Sequence, residues 1–402
     1  MIRHGWTMAP VLVPALMIAA AAAAAEKKYD PGVTDTEIKI GQTMPYSGPA
    51  SAYGTIGRSE VAYFKMINEH GGVNGRKINL ISIDDGYSPP KTVEVTRKLV
   101  EEDQVLAIVG SLGTPTNVAI HKYLNVKKVP QLFIASGATL WGDPEHFPWT
   151  IGWQPSYQVE GHIYAKYIMQ NLPKAKVAVL YQNDDAGKDF LKGITDGFGT
   201  AASKYIIKIA SYEVTDPTVD SQVVSLQGSG ADVLFNASAP KAAAQAIRKA
   251  YDVGWKPTQF LASVSASVAA VLAPAGLEKS AGIISAAYLK DPTDKTWEND
   301  QGYKDWLAWM KKYNTEGNVA DSFNVYGYSI GMTVVQALKQ CGDDLTRENL
   351  MHQAAHMDMD VPMLLPGIRV STSPTNFFPV HQMRLQTFDG KEWHLFGDVI
   401  TG

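Results

Sequence analysis

The sequence predicts an α/β chain built as two doubly wound parallel-sheet units, and three observations predict it. From residue 37 onward, short β-branched runs alternate with amphipathic stretches, and each junction carries Gly, Pro, Asp or Asn. This is the βαβ rhythm of a parallel sheet. Most of the strand-like runs are apolar throughout, as strands covered on both faces are. With 402 residues, 45% of them hydrophobic and 19% charged, the chain is too long for one core and suits two domains of ordinary size.

The strand-like runs of the first unit are 38–42, 78–84, 105–109 and 131–135, and those of the second are 176–181, 206–212, 232–236 and 258–261. Between them, Val61, Phe64, Ile67 and Asn68 keep helical spacing until His70, Gly71 and Gly72 stop it. Glu160, Ile163, Tyr164, Tyr167 and Ile168 form a second stripe, and Ala243, Ala246, Ile247, Ala250 and Tyr251 a third; such stripes face a core. The boundary between the units is expected at 149–156. After Ala281 come an apolar run through Tyr288, a Trp-rich helix around 297–313 and a long helix from about residue 324 to 340, together a return to the first unit. The tail 366–402, with short strands at 384–388 and 394–396, crosses once more. Lobe I is thus expected over 35–153 plus 289–365, and lobe II over 154–288 plus 366–402. Open parallel sheets bind ligands beyond the carboxyl ends of their strands, so two sheets facing each other across a hinge surround one cleft.

Arg3 and His4 precede an apolar stretch that runs into seven alanines before Glu26, Lys27 and Lys28. A charged start, an apolar middle and small residues at the end read as a signal peptide over 1–25, cut after about Ala25; an N-terminal membrane anchor is the alternative. No cysteine follows the stretch, which argues against a lipoprotein tether, and no second apolar run reaches the roughly 18 residues a membrane span needs. The formal charge is −4, with Lys and Arg scattered rather than gathered on a stripe, which points away from nucleic acid and anionic membrane surfaces. The single cysteine, Cys341, permits no internal disulfide and reads as structural.

Candidate chemistry is sparse. Residues 327–331 (GYSIG) match the spacing of a hydrolase nucleophile elbow, but no strand leads into them and a helical run follows. No Gly-rich loop ends in Lys followed by Ser or Thr, and residues 110–113 lack the rest of a dinucleotide fingerprint. His352 and His356 are spaced for a metal but have no third ligand nearby, so a solvated helix face is expected instead. Asp84 and Asp85 stand in turn-forming sequence, DDGYSPP, and read as a turn rather than a catalytic pair. Neither cofactor nor metal is expected, and the chain is read as a non-enzyme.

Four segments in order, 41–54 (GQTMPYSGPASAYG), 67–75 (INEHGGVNG), 84–91 (DDGYSPPK) and 135–139 (ASGAT), resemble the leucine/isoleucine/valine-binding family of periplasmic receptors for ABC importers. The resemblance spans nearly the whole chain after the leader. It implies the type I periplasmic binding protein fold, two lobes joined by a three-crossover hinge, consistent with the rhythm above. It also implies that a hydroxyl and backbone N–H groups after the third strand hold a ligand carboxylate; Thr114, beside Gly113, matches that position, and Gly137, Ala138 and Thr139 match the next loop. Tyr53 matches an aromatic residue that covers the ligand. Trp153, Tyr157, Asp185, Ser238, Val264 and Tyr326 complete the expected site.

The departures from the family bear on the ligand. Amino acid receptors of the family set an anion against the ligand ammonium, usually a second-lobe Glu and often an Asp near the first crossing. Val264 and Tyr157 occupy those positions here. Burying an ammonium without a counter-charge costs several kcal/mol, a thousandfold or more in affinity. An aromatic or aliphatic carboxylate is therefore expected, with Glu160 or Asp185 as possible replacement anions; a branched-chain or other amino acid is the runner-up, and an amide or urea comes third. Two family cysteines that bridge the loops marked by Tyr87 and Gly113 are both absent. The chain is expected to act as a monomer that delivers its solute to membrane permease subunits. A ligand-sensing module for a membrane signalling partner is the alternative from another class.

Overall fold

The computed structural model describes residues 1, 2, 5 and 27–401, so the expected leader lies outside the described residues apart from Met1, Ile2 and Gly5. Two sheets form. The first takes β1 (Glu37–Met44), β2 (Lys77–Asp84), β3 (Ile108–Val109), β4 (Gln131–Ile134) and β5 (Thr150–Gly152), all parallel, in the order β2-β1-β3-β4-β5. The second takes β6 (Val177–Gln182), β7 (Ile206–Tyr212), β8 (Val233–Ala237), β9 (Thr258–Leu261), β10 (Ile284–Ala287), β11 (Gln382–Phe388) and β12 (Trp393–Thr401), in the order β12-β11-β10-β9-β8-β6-β7. Its first five strands in the chain are parallel, and the β11/β12 hairpin adds antiparallel to the β10 edge. The core strands are buried along their whole length, as their unbroken apolar runs require: β8, β10 and β4 expose no residue.

The helices of eight residues or more are α1 (Gly54–Glu69), α2 (Pro89–Arg97), α3 (Thr114–Lys127), α4 (Tyr157–Asn171), α5 (Asp185–Phe198), α6 (Asp220–Gln227), α7 (Pro240–Asp252), α8 (Gln301–Tyr313), α9 (Phe323–Gln340) and α10 (Arg347–Ala354). The elbow-like motif lies inside α9, where its two glycines admit a neighbouring helix. A Cβ at Gly327 would stand 2.4 Å from the Ile56 carbonyl oxygen of α1, and one at Gly331 would stand 2.8 Å from the Tyr63 ring. Ser329 is fully buried and donates to the Val325 carbonyl at 2.8 Å, so its hydroxyl closes a helical turn. Cys341 caps the same helix, buried, with its thiol pushed up to about 12 by desolvation.

Two expectations need correction. The apolar run through Tyr288 falls within the expected bounds of lobe II, 154–288, and is not part of the return to the first unit: β10 sits inside the second sheet between β9 and β11, and the chain leaves only after it. Strand β5 was not expected, because three residues between Pro148 and Pro155 are too few to display a period.

The chain crosses between the sheets three times, and the crossing segments bond to one another. Leu365 N–H donates to the Tyr288 carbonyl at 2.9 Å, Lys290 N–H to the Met363 carbonyl at 2.8 Å, and Val380 N–H to the Trp153 carbonyl at 3.3 Å. Satisfying buried backbone groups strand to strand makes the hinge a small ordered unit rather than loose linkers.

Candidate functional site: a cavity between the two sheets

Loops from the carboxyl ends of both sheets enclose one cavity of about 110 Å³. At about 30 Å³ per water, that is room for roughly four waters or one small organic molecule. Seven aromatic rings line it: Tyr53, Tyr87, Tyr157, Phe190, Tyr288, Phe323 and Tyr326. Tyr157 stacks on Phe190 at 4.2 Å between centroids, and Tyr53 packs against Phe323 at 5.1 Å. Burial pushes the Tyr157 hydroxyl up to about 12, so it remains a neutral donor.

Polar groups enter at a few places. Gly113 and Thr114 open α3, Ala186 and Gly187 lie in the first turn of α5, and Ser238 and Ala239 precede α7; all six line the cavity. These helix starts border it, as do those of α4 at Tyr157 and α9 at Phe323, and helix N-termini favour negative charge. Asp184 caps α5, accepting from Gly187 N–H at 3.0 Å, whereas α3 and α7 carry no side-chain cap. Thr114 Oγ1 is 2.7 Å from Ser136 Oγ, which fixes the hydroxyl beside the uncapped amides of α3. Ser238 Oγ is buried without a partner among the described residues.

The loops of the absent disulfide meet here in another way. Gly113 has φ +101, and a Cβ on it would stand 2.5 Å from the Tyr87 ring. The Tyr87 ring lies over Gly113 at the cavity wall, and only glycine fits beneath it. Asp84 and Asp85 hold the preceding turn: Asp84 accepts from Ser47 N–H and Gly86 N–H, and Asp85 from Tyr87 N–H and the Thr92 hydroxyl.

Seven expected site residues line the cavity together: Tyr53, Gly113, Thr114, Tyr157, Ser238, Val264 and Tyr326. Five do not. Gly137 lies under Tyr157, whose ring atoms would stand 2.8 Å from an added Cβ, and Ala138 is fully buried behind the Ser136 hydroxyl. Thr139 is turned to Asp189, donating both N–H and hydroxyl to its carboxylate at 2.6 and 2.5 Å. Trp153 is one layer back, packed edge-on against Tyr326 and donating Nε1–H to Thr333 at 3.0 Å. Asp185 is exposed on the first turn of α5, and it is Asp184 that is drawn inward.

Neither proposed replacement anion lines the cavity. Glu160 is buried just behind it, accepting from Tyr164 OH and Ser263 N–H on Oε1 and from Ser263 OH on Oε2, at 2.6–2.7 Å. Desolvation raises its pKa to about 7. A carboxylate that does line the cavity, Asp291, was missed, as were Gln182, Phe190 and Tyr288. Asp291 stands two residues beyond the second crossing in turn-rich sequence, where nothing marks it from a surface aspartate. Elsewhere, Asp389, Glu392 and His394 bring ligand atoms within 4.8 Å at the β11/β12 turn, where Asp389 already accepts from Lys391 N–H and Glu392 N–H. His352 and His356 lie exposed on and just after α10.

Comparison with known proteins agrees with this geometry. The periplasmic binding protein family profile matches residues 37–392. A Leu/Ile/Val-binding protein homolog from Brucella abortus is 24% identical over 317 residues, covering 78% of this chain and 81% of its own. Among solved structures, a valine-bound branched-chain amino acid ABC transporter protein from Thermus thermophilus superposes with TM-score 0.82 at 16% identity, covering 92% of this chain and 98% of its own. An R. palustris solute-binding protein in complex with benzoate superposes with TM-score 0.77 at 20% identity, covering 91% and 98%. With two lobes, a three-stranded hinge and a ligand-sized cavity between them, the chain belongs to the periplasmic binding protein family, in its leucine/isoleucine/valine-binding branch.

Proposed function

We propose that the chain is the solute-capturing component of an ABC importer and that its ligand is a small aromatic or aliphatic carboxylate. The observation that carries this reading is the uncapped N-terminus of α3, with the Thr114 hydroxyl beside it, opening into a cavity that seven aromatic rings line. Amide dipoles and a hydroxyl suit a carboxylate, and the rings suit an apolar tail. The relatives hold valine in one case and benzoate in another, so the ligand class rests on this chain's own walls. Val264 and Tyr157 stand where the family's amino acid receptors place their anions, so those two counter-charges to an α-ammonium are lost and Asp291 is the carboxylate that lines the cavity.

In this reading the ligand docks on the lobe formed by 35–153 and 289–365. The lobe of 154–288 and 366–402 then closes over it, and the closed surface is what the permease subunits recognise. The chain is exported through residues 1–25 and acts as a monomer in the periplasm. The test is a thermal-shift panel on protein refolded free of carried solute. Ligand at a thousandfold over its Kd adds about 4 kcal/mol to stability. Benzoate- or cinnamate-like acids are expected to raise Tm while leucine does not; a rise with leucine alone would overturn the carboxylate reading.

A further inference from the structure

The cavity's acidic residue is unused by the proposal above. Asp291 is 8% exposed and lines the cavity on the wall made by the second crossing, with Tyr288, Leu289 and Lys290. Both of its hydrogen bonds, from Thr293 N–H at 2.8 Å and the Thr293 hydroxyl at 2.6 Å, fall on Oδ1. Among the described residues no donor reaches Oδ2. The adjacent cation is committed elsewhere: Lys290 Nζ pairs with Asp300 at 2.6 Å and lies over the Trp297 ring. Oδ2 is open to the cavity, where water or a donor on a ligand completes it.

We infer that Asp291 is a second polar anchor, accepting a hydrogen bond from a donor on the ligand, so that the solute is a carboxylic acid bearing a hydroxyl or other neutral donor group rather than a plain one. This rests on the proposed reading of the cavity as a carboxylate site. The uncapped α3 terminus and Thr114 supply donors, and Asp291, on a different wall, supplies an acceptor, so the cavity is polarised to sort molecules by what stands apart from the carboxylate. Burial raises the Asp291 pKa to about 6, with Asp294 and Asp321 pushing the same way. A ligand donor relieves that crowding.

Matched pairs read this directly: benzoate with 4-hydroxybenzoate, cinnamate with 4-hydroxycinnamate, hexanoate with 6-hydroxyhexanoate, and 4-methylpentanoate with leucine, each titrated into the full mature chain and into Asp291→Asn. A hydrogen bond to a charged acceptor predicts that one donor-bearing member binds about tenfold or more tighter than its parent. The ratio should fall toward one in Asp291→Asn, and being internal to each protein, it does not depend on the folded fraction. Wild-type ratios near one in every pair, or a ratio unchanged in the variant, would overturn the inference while leaving the carboxylate reading standing. If leucine alone gains over 4-methylpentanoate and loses the gain in the variant, Asp291 stands as the anchor and the carboxylate reading falls. If no acid binds, both fall.

Discussion

Glu160 shows how a single buried group links the cavity to stability. Its carboxylate is held by Tyr164 and Ser263, and Ser263 lines the cavity, so its charge state sets the wall behind the ligand. Desolvation raises its pKa from 4.5 to about 7. A carboxyl raised on folding favours the folded state in its protonated form. That stability is fully present below about pH 4.5 and is lost as pH rises through about 7, at most roughly 3 kcal/mol. Gln fits the same partners, since Oε1 can keep both of its bonds and Nε2 can donate to the Ser263 hydroxyl. Tm of Glu160→Gln against wild type between pH 4.5 and 8 should show the wild type falling behind as pH rises; parallel profiles would contradict the assignment. Little of this was visible in sequence. The site residues found there came from loops whose neighbours form recognisable turns, as at Thr114 and Tyr53. Asp291, Gln182 and Phe190 become cavity residues only because strands distant in sequence bring their loops to one place.

At the scale of elements, the start of α4 and the first turns of α5 are tied to the loop after β4. Asp189 accepts from Thr139 N–H, Thr139 OH and Gln158 Nε2–H, and Gln158 also donates to the Thr139 hydroxyl at 2.8 Å. Thr139 follows a strand of the first sheet, while Asp189 lies on a helix that covers the second, so these bonds tie the two sides of the cleft together. On another side of the cleft, Ser267 donates to Asp321 at 2.8 Å and Ala269 N–H to the Ala320 carbonyl at 3.2 Å. Closing contacts outside the cavity raise affinity by populating the closed state, without touching the ligand. Asp189→Ala should therefore weaken binding of whichever acid the panel identifies by about tenfold, through faster dissociation, while ligand-free Tm changes little. Unchanged dissociation would remove the latch. The sequence assigned Thr139 to ligand contact because its loop matches the family's. Its hydroxyl was taken instead by Asp189, an interaction across 50 residues that no local pattern displays.

Over the whole molecule, the two sheets were legible because nearly every core strand is an unbroken apolar run. The elements that escaped were those too short to show a period, such as β5, or those whose sheet is chosen by pairing rather than pattern, such as β10. The hinge gains order from bonds among its three segments, and the cavity gains its character from helix starts on both sides. The central claim is that these helix starts, Thr114 foremost, select a carboxylate. Calorimetric titration of an acid and its neutral amide, benzoate against benzamide or the equivalent pair for the best acid of the panel, tests it most directly. Saturable binding of one acid per chain, with the amide weaker by a hundredfold or about 3 kcal/mol, is the predicted result. Equal binding of acid and amide would contradict it and make the cavity a receptor for neutral solutes.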